Sequence, residues 1–281
     1  MDRPNAPQLV AISDTHCGCR MGLIPPEGIV LDDGGPYSPS RFQLAMWEIW
    51  LEFWNEWVPR VTKGEPWDLL HNGDALDGVH HGSVTQISHN LEDQHKIARA
   101  CLSEPVARCI ASGGRYYHVR GTEAHVGKSA AEEERLASSL GATVNEAGQA
   151  ARWELWHRIG PGRGALIHAK HHIATTGSSA YESTAVHKAF VAMFMESGRW
   201  GDEPPQVLVR SHRHRHFEER IALRDGYGIA TVTPGWQGLT PFIHRFTEAP
   251  LPQFGGIVIR RGDEELHSRF FVRRIGRPAE G

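Results

Sequence analysis

The sequence has few of the features that mark secreted, membrane-spanning or small zinc-stabilised proteins. Its 281 residues include only four cysteines, which form neither a Cys-x-x-Cys pair nor a dense disulfide framework. No run reaches the roughly 18 apolar residues of a transmembrane helix, and the first residues carry no apolar signal region. We therefore expect a soluble, cytoplasmic protein with no membrane partner.

An excess of positive charge is also missing. The formal net charge is −3, so no global basic field attracts nucleic acid, which argues mildly against tight non-specific DNA binding. By contrast, 18 histidines are many for this length, and imidazole is the commonest ligand for borderline metals. The length suits one large α/β domain with a sizeable core.

Apolar periodicity predicts alternating strands and helices in the first half and mostly strands in the second. Residues 8–13 read as a buried strand, and residues 17–40, rich in Gly and Pro, as a long loop. Ser40 is the predicted N-cap of a helix that runs to Val58. One face of this helix is expected to lie in the core; it carries Leu44, Trp47, Trp50, Leu51, Trp54, Trp57 and Val58.

These patterns predict an α/β sandwich with central mixed β-sheets flanked by helices. We expect a single domain over residues 1–281, with an inserted loop and Trp-rich helix at about 17–62 and a C-terminal β-hairpin at about 254–273. The run Glu132–Glu134 at the start of a further helix is expected to be a solvated first turn, favoured by the helix dipole.

Acidic and imidazole side chains follow apolar runs at three places. The pairs are Asp14 and His16 after residues 8–13, Asp74 and Asp77 after residues 67–70, and His212 and His214 after residues 207–209. A group at the end of a strand lies at the rim of a sheet, and several such rims together can form a metal site. A pair of divalent ions also needs a bridging carboxylate. Asp74, directly after Gly73, suits that role.

In their order along the chain, these segments resemble the motifs of the calcineurin-like metallophosphoesterases. The order is Asp-x-His, Gly-Asp-x-x-Asp, Gly-x-x-x-His, a mid-chain His and x-His-x-His, over roughly residues 8–240. Residues 233–237 also resemble the Asn-Pro-Gly-Ser turn that follows the last motif in many members. Residues 121–125 and 171–173 resemble phage- or prophage-type members. The resemblance implies a hydrolase of phosphate esters with two divalent ions: manganese, iron, zinc or nickel.

The resemblance also divides the ligands between the two ions. The first would be held by Asp14, His16, Asp74 and His214, with Asp74 shared. The second would be held by Asp74, His212, a mid-chain histidine and a residue of the third motif. Asp77 would orient the site without binding metal. A hydroxide between the ions would attack phosphorus.

Two motifs leave their ligands open. The third motif of the family reads Gly-Asn-His-Asp/Glu. Residues 121–125 occupy its place in this chain, with Thr122 at the position of Asn. We expect Glu123 to bind metal and His125 to protonate the leaving oxygen. The fourth motif contains His168, His171 and His172. We favour His171 as the ligand, with His168 as the alternative and the remaining histidine in a supporting position.

Two arginines are further candidate site residues, and several substrates and functions remain open. Arg120 and Arg210 precede motif residues and are candidates for phosphoryl binding or for structural ion pairs. A phosphomonoester, a phosphodiester and a nucleic acid are all candidate substrates. The alternatives are a DNA nuclease of the same family and a catalytically impaired metal-binding scaffold. A barrel-type amidohydrolase is disfavoured, since such sites usually open with His-x-His.

Overall fold

Most central strands of the chain are buried on both faces, because each of two sheets is covered on both sides. The computed structural model describes residues 5–80, 82–173, 181–224, 226–241, 243, 251–263 and 265–276. The strands are β1 (Gln8–Ile12), β2 (Ile29–Val30), β3 (Pro36–Tyr37), β4 (Trp67–Asn72), β5 (Tyr116–Val119), β6 (Ala151–Arg152), β7 (Leu155–Ile159), β8 (Ala165–Ala169), β9 (Val207–Arg210), β10 (Phe217–Leu223), β11 (Gly226–Val232), β12 (Phe254–Arg261) and β13 (Leu266–Arg273). The helices are α1 (Arg41–Glu52), α2 (Val58–Thr62), α3 (Leu91–Ala111), α4 (Glu123–Val126), α5 (Ala131–Ser139) and α6 (Glu182–Trp200).

The first sheet has the strand order β13-β12-β1-β4-β5-β6. Its strands β1, β4, β5 and β6 are parallel, and the C-terminal hairpin of β12 and β13 extends the sheet antiparallel to β1. The second sheet has the order β10-β11-β9-β8-β7, with β8, β9 and β11 parallel. The carboxyl ends of β1, β4 and β5 meet at one edge of the first sheet, and those of β8 and β9 meet at one edge of the second.

Apolar side chains hold four layers together. Leu9 and Tyr117 of the first sheet share a buried cluster with Ile167 and Val209 of the second. The outer face of the first sheet packs on α1, α2, α3 and α5, and that of the second on α6. The prediction of an α/β sandwich with central mixed sheets flanked by helices is confirmed. Among the described residues, no helix is both long and apolar enough to cross a membrane.

The Trp-rich helix packs largely as its periodicity predicts. Ser40 caps it with a reciprocal pair of hydrogen bonds to Gln43, and a wider π-helical turn over Phe53–Trp57 separates α1 from α2. The tryptophans at 50, 54 and 57 are buried, but Leu44 and Leu51 are exposed, so their expected place in the core is wrong. Leu51 follows Trp50 and is therefore rotated by about 100° around the helix, out of the packed face.

The predicted loop at 17–40 contains the short hairpin of β2 and β3. Its neighbour in space, the turn at 233–237, is held by Trp236. The Trp236 indole is fully buried, its ring centre lies 4.7 Å from that of Trp50, and its backbone amide donates to the carbonyl of Asp14. The aromatic core therefore touches the segment that follows β1.

Trp236→Ala should lower the free energy of unfolding by roughly 3–5 kcal/mol, because it empties a large site in a close-packed core. The measurement is urea denaturation followed by circular dichroism. The matched control is Trp200→Ala on the exposed end of α6, which should change stability by less than about 0.5 kcal/mol. Equal losses in the two variants would contradict the packing described here.

Candidate metal centre

Strand ends bring the predicted ligands of both sheets to one place. Asp14 and His16 follow β1, Asp74 follows β4, His171 follows β8, and His212 and His214 follow β9. We call these six residues the ligand cluster. Asp14, His16, Asp74 and His171 are buried, whereas the His212 and His214 side chains are 40% and 19% exposed. The cluster is therefore open to solvent on the side of its last motif.

The backbone of this cluster adopts a conformation that non-glycine residues rarely take. Five of the six residues have positive φ: Asp14 (55°), His16 (40°), Asp74 (54°), His212 (75°) and His214 (50°). In the rest of the described chain, three non-glycine residues do so: Lys63, Ser129 and Ala130. Such residues cost on the order of 1–3 kcal/mol each and persist where the surrounding structure holds them. Backbone strain is thus concentrated at the predicted ligands.

Two glycines allow the loops to approach one another closely. A Cβ on Gly73, which has a φ of 90°, would lie 2.5 Å from Nδ1 of His171. A Cβ on Gly121 would lie 2.1 Å from Oδ1 of Asp74. Both distances are far below van der Waals contact. The loops after β4, β5 and β8 can therefore meet only with glycine at these positions.

The first group of ligand atoms surrounds Asp14. Nε2 of His16 lies 3.2 Å from Nε2 of His214, and Nε2 of His214 lies 3.3 Å from Oδ1 of Asp14. Nε2 of His16 is 4.0 Å from both Oδ1 of Asp14 and Oδ2 of Asp74. Oδ1 of Asp14 is buried and accepts no hydrogen bond. Two imidazole nitrogens and two carboxylates converge here as they would around a cation.

The second group surrounds the other side of Asp74. Oδ2 of Asp74 lies 3.0 Å from Nε2 of His171 and 3.9 Å from Nδ1 of His212. The two imidazole nitrogens are 3.2 Å apart. Oδ2 of Asp74 therefore belongs to both groups of atoms. This is the position of a carboxylate that bridges two ions.

The charges of the buried groups agree with a cation site. Burial alone would raise the pKa of the Asp74 carboxyl, but His171 and its hydrogen bond hold that pKa well below its usual range. His214 and His171 likewise lower the pKa of Asp14 against the effect of burial. Burial would lower the pKa of His171, yet Asp74 and Asp14 raise it to about 10. Two ionised, buried carboxylates need positive charge beside them, and the donor set fits divalent ions.

A carboxylate and a backbone carbonyl contact two imidazoles of the cluster, those of His16 and His171. Oδ1 of Asp77 lies 3.3 Å from Nδ1 of His16, and the amides of Gln86 and Gln237 donate to the Asp77 carboxylate. Nδ1 of His171 lies 2.7 Å from the carbonyl oxygen of Asn72. Each contact leaves Nε2 of the ring facing the cluster. Asp77 thus contacts His16 on the side of the ring away from the cluster, and its orienting role stays a prediction.

The third motif differs from its prediction. Oγ1 of Thr122 lies 3.2 Å from Oδ2 of Asp74 and 3.3 Å from Nδ1 of His212, so Thr122 lies beside the second group. Thr122 is also the residue before α4, and the chain turns there so that Glu123 is exposed. Among the described residues, Glu123 belongs to no group of ligand atoms. The structure therefore does not support Glu123 as a ligand.

His125 lies beside the first group. One of its ring nitrogens is within 4.8 Å of ligand atoms of His16 and Asp74, and its Nδ1 lies 2.8 Å from the carbonyl oxygen of Asp77. Burial is the main reason that the pKa of His125 is lowered to about 4. The ring is thus neutral at pH 7, and donation from Nδ1 to the carbonyl leaves Nε2 as an acceptor.

Three other candidate residues lie away from the cluster. Nε2 of His168 is 3.1 Å from the carboxylate of Glu154, and its Nδ1 is 3.1 Å from the guanidinium of Arg210, which also donates to backbone carbonyls. The guanidinium of Arg120 donates to two backbone carbonyls and to Glu134. Their contacts oppose the predictions of His168 as a ligand and of both arginines as substrate-binding residues. Arg120 forms the structural ion pair that is the alternative, with Glu134. Among the described residues Arg210 forms no ion pair, and its guanidinium contacts two backbone carbonyls and His168 instead.

The sequence pattern does not predict that one buried residue, Glu133, supports the ligand cluster. Glu133 is fully buried, not solvated: its carboxylate accepts from the amides of Ala75 and Gly121 and lies 3.6 Å from Nε2 of His118. It therefore joins the loops that carry Asp74 and Thr122. The buried spacing of Glu133, Leu136 and Ala137 on α5 is the helical pattern that could have indicated this.

Comparisons with known proteins give no family. No protein-family model and no curated protein matches the chain. Among solved structures, the sulfate thiohydrolase SoxB of Thermus thermophilus, in complex with glycerol, is 11% identical, with a TM-score of 0.40; the match covers 98% of this chain and 57% of SoxB. The Thermotoga maritima protein TM1076 is 13% identical, with a TM-score of 0.33; the match covers 95% of this chain and 99% of that protein. Vacuolar protein sorting 29 of Cryptosporidium parvum is 11% identical, with a TM-score of 0.34; the match covers 96% of this chain and 100% of that one. Similarities this low assign neither a family nor an activity.

Glu133→Ala should lower the free energy of unfolding by about 3 kcal/mol, because two buried amides lose their acceptor. It should also weaken metal binding, since the loops of Asp74 and Thr122 lose their common anchor. Urea denaturation and zinc titration measure the two effects. Glu146→Ala, at an exposed position, is the control. If both variants keep wild-type stability and zinc affinity, Glu133 does not hold the loops.

Proposed function

We propose that this protein is a hydrolase of phosphate esters that works with two divalent ions, in the manner of the calcineurin-like metallophosphoesterases. The observation that carries the proposal is the position of Oδ2 of Asp74 between two pairs of imidazoles. One pair is His16 and His214, and the other is His171 and His212. Two bound ions would supply polarisation of the phosphoryl oxygens and an acidified water as nucleophile.

The residues of the chain have separate tasks in this mechanism. Asp14 and Asp74 would provide the negative charge that holds the ions, and Asp77 would keep Nε2 of His16 turned toward them. The partly exposed His212 and His214 border the opening through which an ester would enter. The phosphoryl group would bind over the ligand cluster.

His125 is the candidate for proton transfer to the leaving oxygen. Its low pKa in the free protein means that it carries no spare proton at pH 7. A bound phosphoryl group is anionic and would raise that pKa, whereas the two cations beside His125 would lower it. The acid role therefore requires that the negative charge of the substrate outweigh the effect of the ions, so that protonated His125 can donate from Nε2.

The contacts favour small esters over long nucleic acids as substrates. The two arginines expected beside the cluster, Arg120 and Arg210, use their guanidinium groups elsewhere in the fold. The net charge of −3 also argues mildly against tight non-specific binding of a polynucleotide. A nuclease activity is the alternative that a panel of mono- and diesters and single- and double-stranded DNA would reveal.

Asp74→Asn should reduce the bound metal from two ions to at most one and lower turnover by roughly 10³-fold or more, since the shared charge is lost. Metal content is measured by mass spectrometry, and turnover with p-nitrophenyl phosphate and bis-p-nitrophenyl phosphate. Asp33→Asn, in the exposed loop before β3, is the control. Full turnover in Asp74→Asn would refute the proposal, and two bound ions without hydrolysis of any ester would favour a binding scaffold.

His125→Ala should leave metal content unchanged and slow the hydrolysis of phenyl phosphate by roughly 10²–10⁴-fold. The effect on p-nitrophenyl phosphate should be much smaller, because that leaving group departs without protonation. Steady-state rates on the two esters give the comparison, and the exposed His89→Ala is the control. An equal loss on both esters would remove His125 from the role of acid.

A further inference from the structure

One residue beside the second group of ligand atoms, Thr122, offers only a weak metal ligand. Thr122 stands where the resembled motif has a metal-binding asparagine, and its Oγ1 is the only side-chain donor atom it brings. That hydroxyl lies 3.2 Å from Oδ2 of Asp74 and 3.3 Å from Nδ1 of His212. A neutral hydroxyl is a poor ligand for borderline divalent metals, which prefer imidazole nitrogen. Without Thr122, three ligand residues remain: Asp74, His171 and His212.

A third imidazole lies within reach of this group. One nitrogen each of His171, His172 and His212 lie within 4.8 Å of one another. The ring centre of His172 is 5.0 Å from those of both other histidines. His171 is buried and His172 is exposed. The two rings therefore approach His212 from the protein interior and from the solvent side, respectively. The mechanism proposed above makes no use of His172.

We propose that His172 is a ligand of the second ion and takes the place of the missing asparagine. The second ion would then have three imidazole nitrogens and the shared carboxylate of Asp74. Such a donor set favours zinc, nickel or cobalt over manganese and magnesium, which prefer oxygen. This inference rests on the proposed two-ion function and adds to it the identity of a ligand and the class of metal at one of the two positions.

The test is a titration of the full-length, metal-free protein with zinc, followed by competition with a chromophoric chelator. The wild-type protein should bind two ions. His172→Ala should weaken the second zinc by roughly 10–100-fold or more and leave the first unchanged, because loss of a ligand costs at least as much as loss of a supporting contact. His89→Ala should change neither affinity. Cobalt absorption spectra provide an independent readout, since loss of one imidazole alters the d–d bands of the second ion only.

A second variant separates a ligand from a structural residue. Thr122→Asn in the His172→Ala background should restore the second zinc affinity, because it supplies the amide oxygen that the resembled motif uses. An unchanged second affinity in His172→Ala, or no restoration by Thr122→Asn, overturns the assignment of His172 while leaving the two-ion function in place. A wild-type protein that binds fewer than two zinc ions overturns both.

Discussion

The arrangement of the site follows from the need to stabilise the buried charge of Asp74. Ionised carboxylates inside a protein cost several kcal/mol each unless opposite charge and hydrogen bonds surround them, and here Asp14 lies close by. The amide of Thr122, at 2.6 Å, and the imidazole of His171, at 3.0 Å, satisfy part of that need. Oδ1 of Asp14 remains without a donor. Divalent ions beside Asp14 and Asp74 would supply further positive charge to these buried carboxylates.

The sequence predicts this part of the molecule well because its signals are local. Each apolar strand is short and ends in a polar pair, and parallel strands bring their carboxyl ends to the same edge. Asp14, Asp74, His212 and His214 could therefore be placed without knowledge of the tertiary structure. His171 required more, since the choice against His168 depends on which ring faces the second sheet's rim. The Trp-rich helix was predictable for the same local reason, apart from Leu44 and Leu51.

The sequence does not show in which direction each side chain points. Register in the third motif points to Glu123, but Thr122 precedes a short helix and the chain turns Glu123 toward solvent. Arg120 and Arg210 precede motif residues, yet their guanidinium groups donate to backbone carbonyls, and that of Arg120 also donates to Glu134. Glu133 lies in a run of charge that suggests a solvated face, whereas α5 packs this residue against two ligand loops. Spacing gives neighbours along the chain, and packing decides where each side chain points.

Anomalous diffraction from crystals of the zinc-loaded protein, recorded on both sides of the zinc absorption edge, would locate the bound ions. We expect two peaks about 3.5–4 Å apart, with Asp74 between them, one beside His16 and His214 and the other beside His171 and His212. A single peak, or none, with Asp14 and Asp74 hydrogen-bonded only to protein groups, would contradict the two-ion proposal.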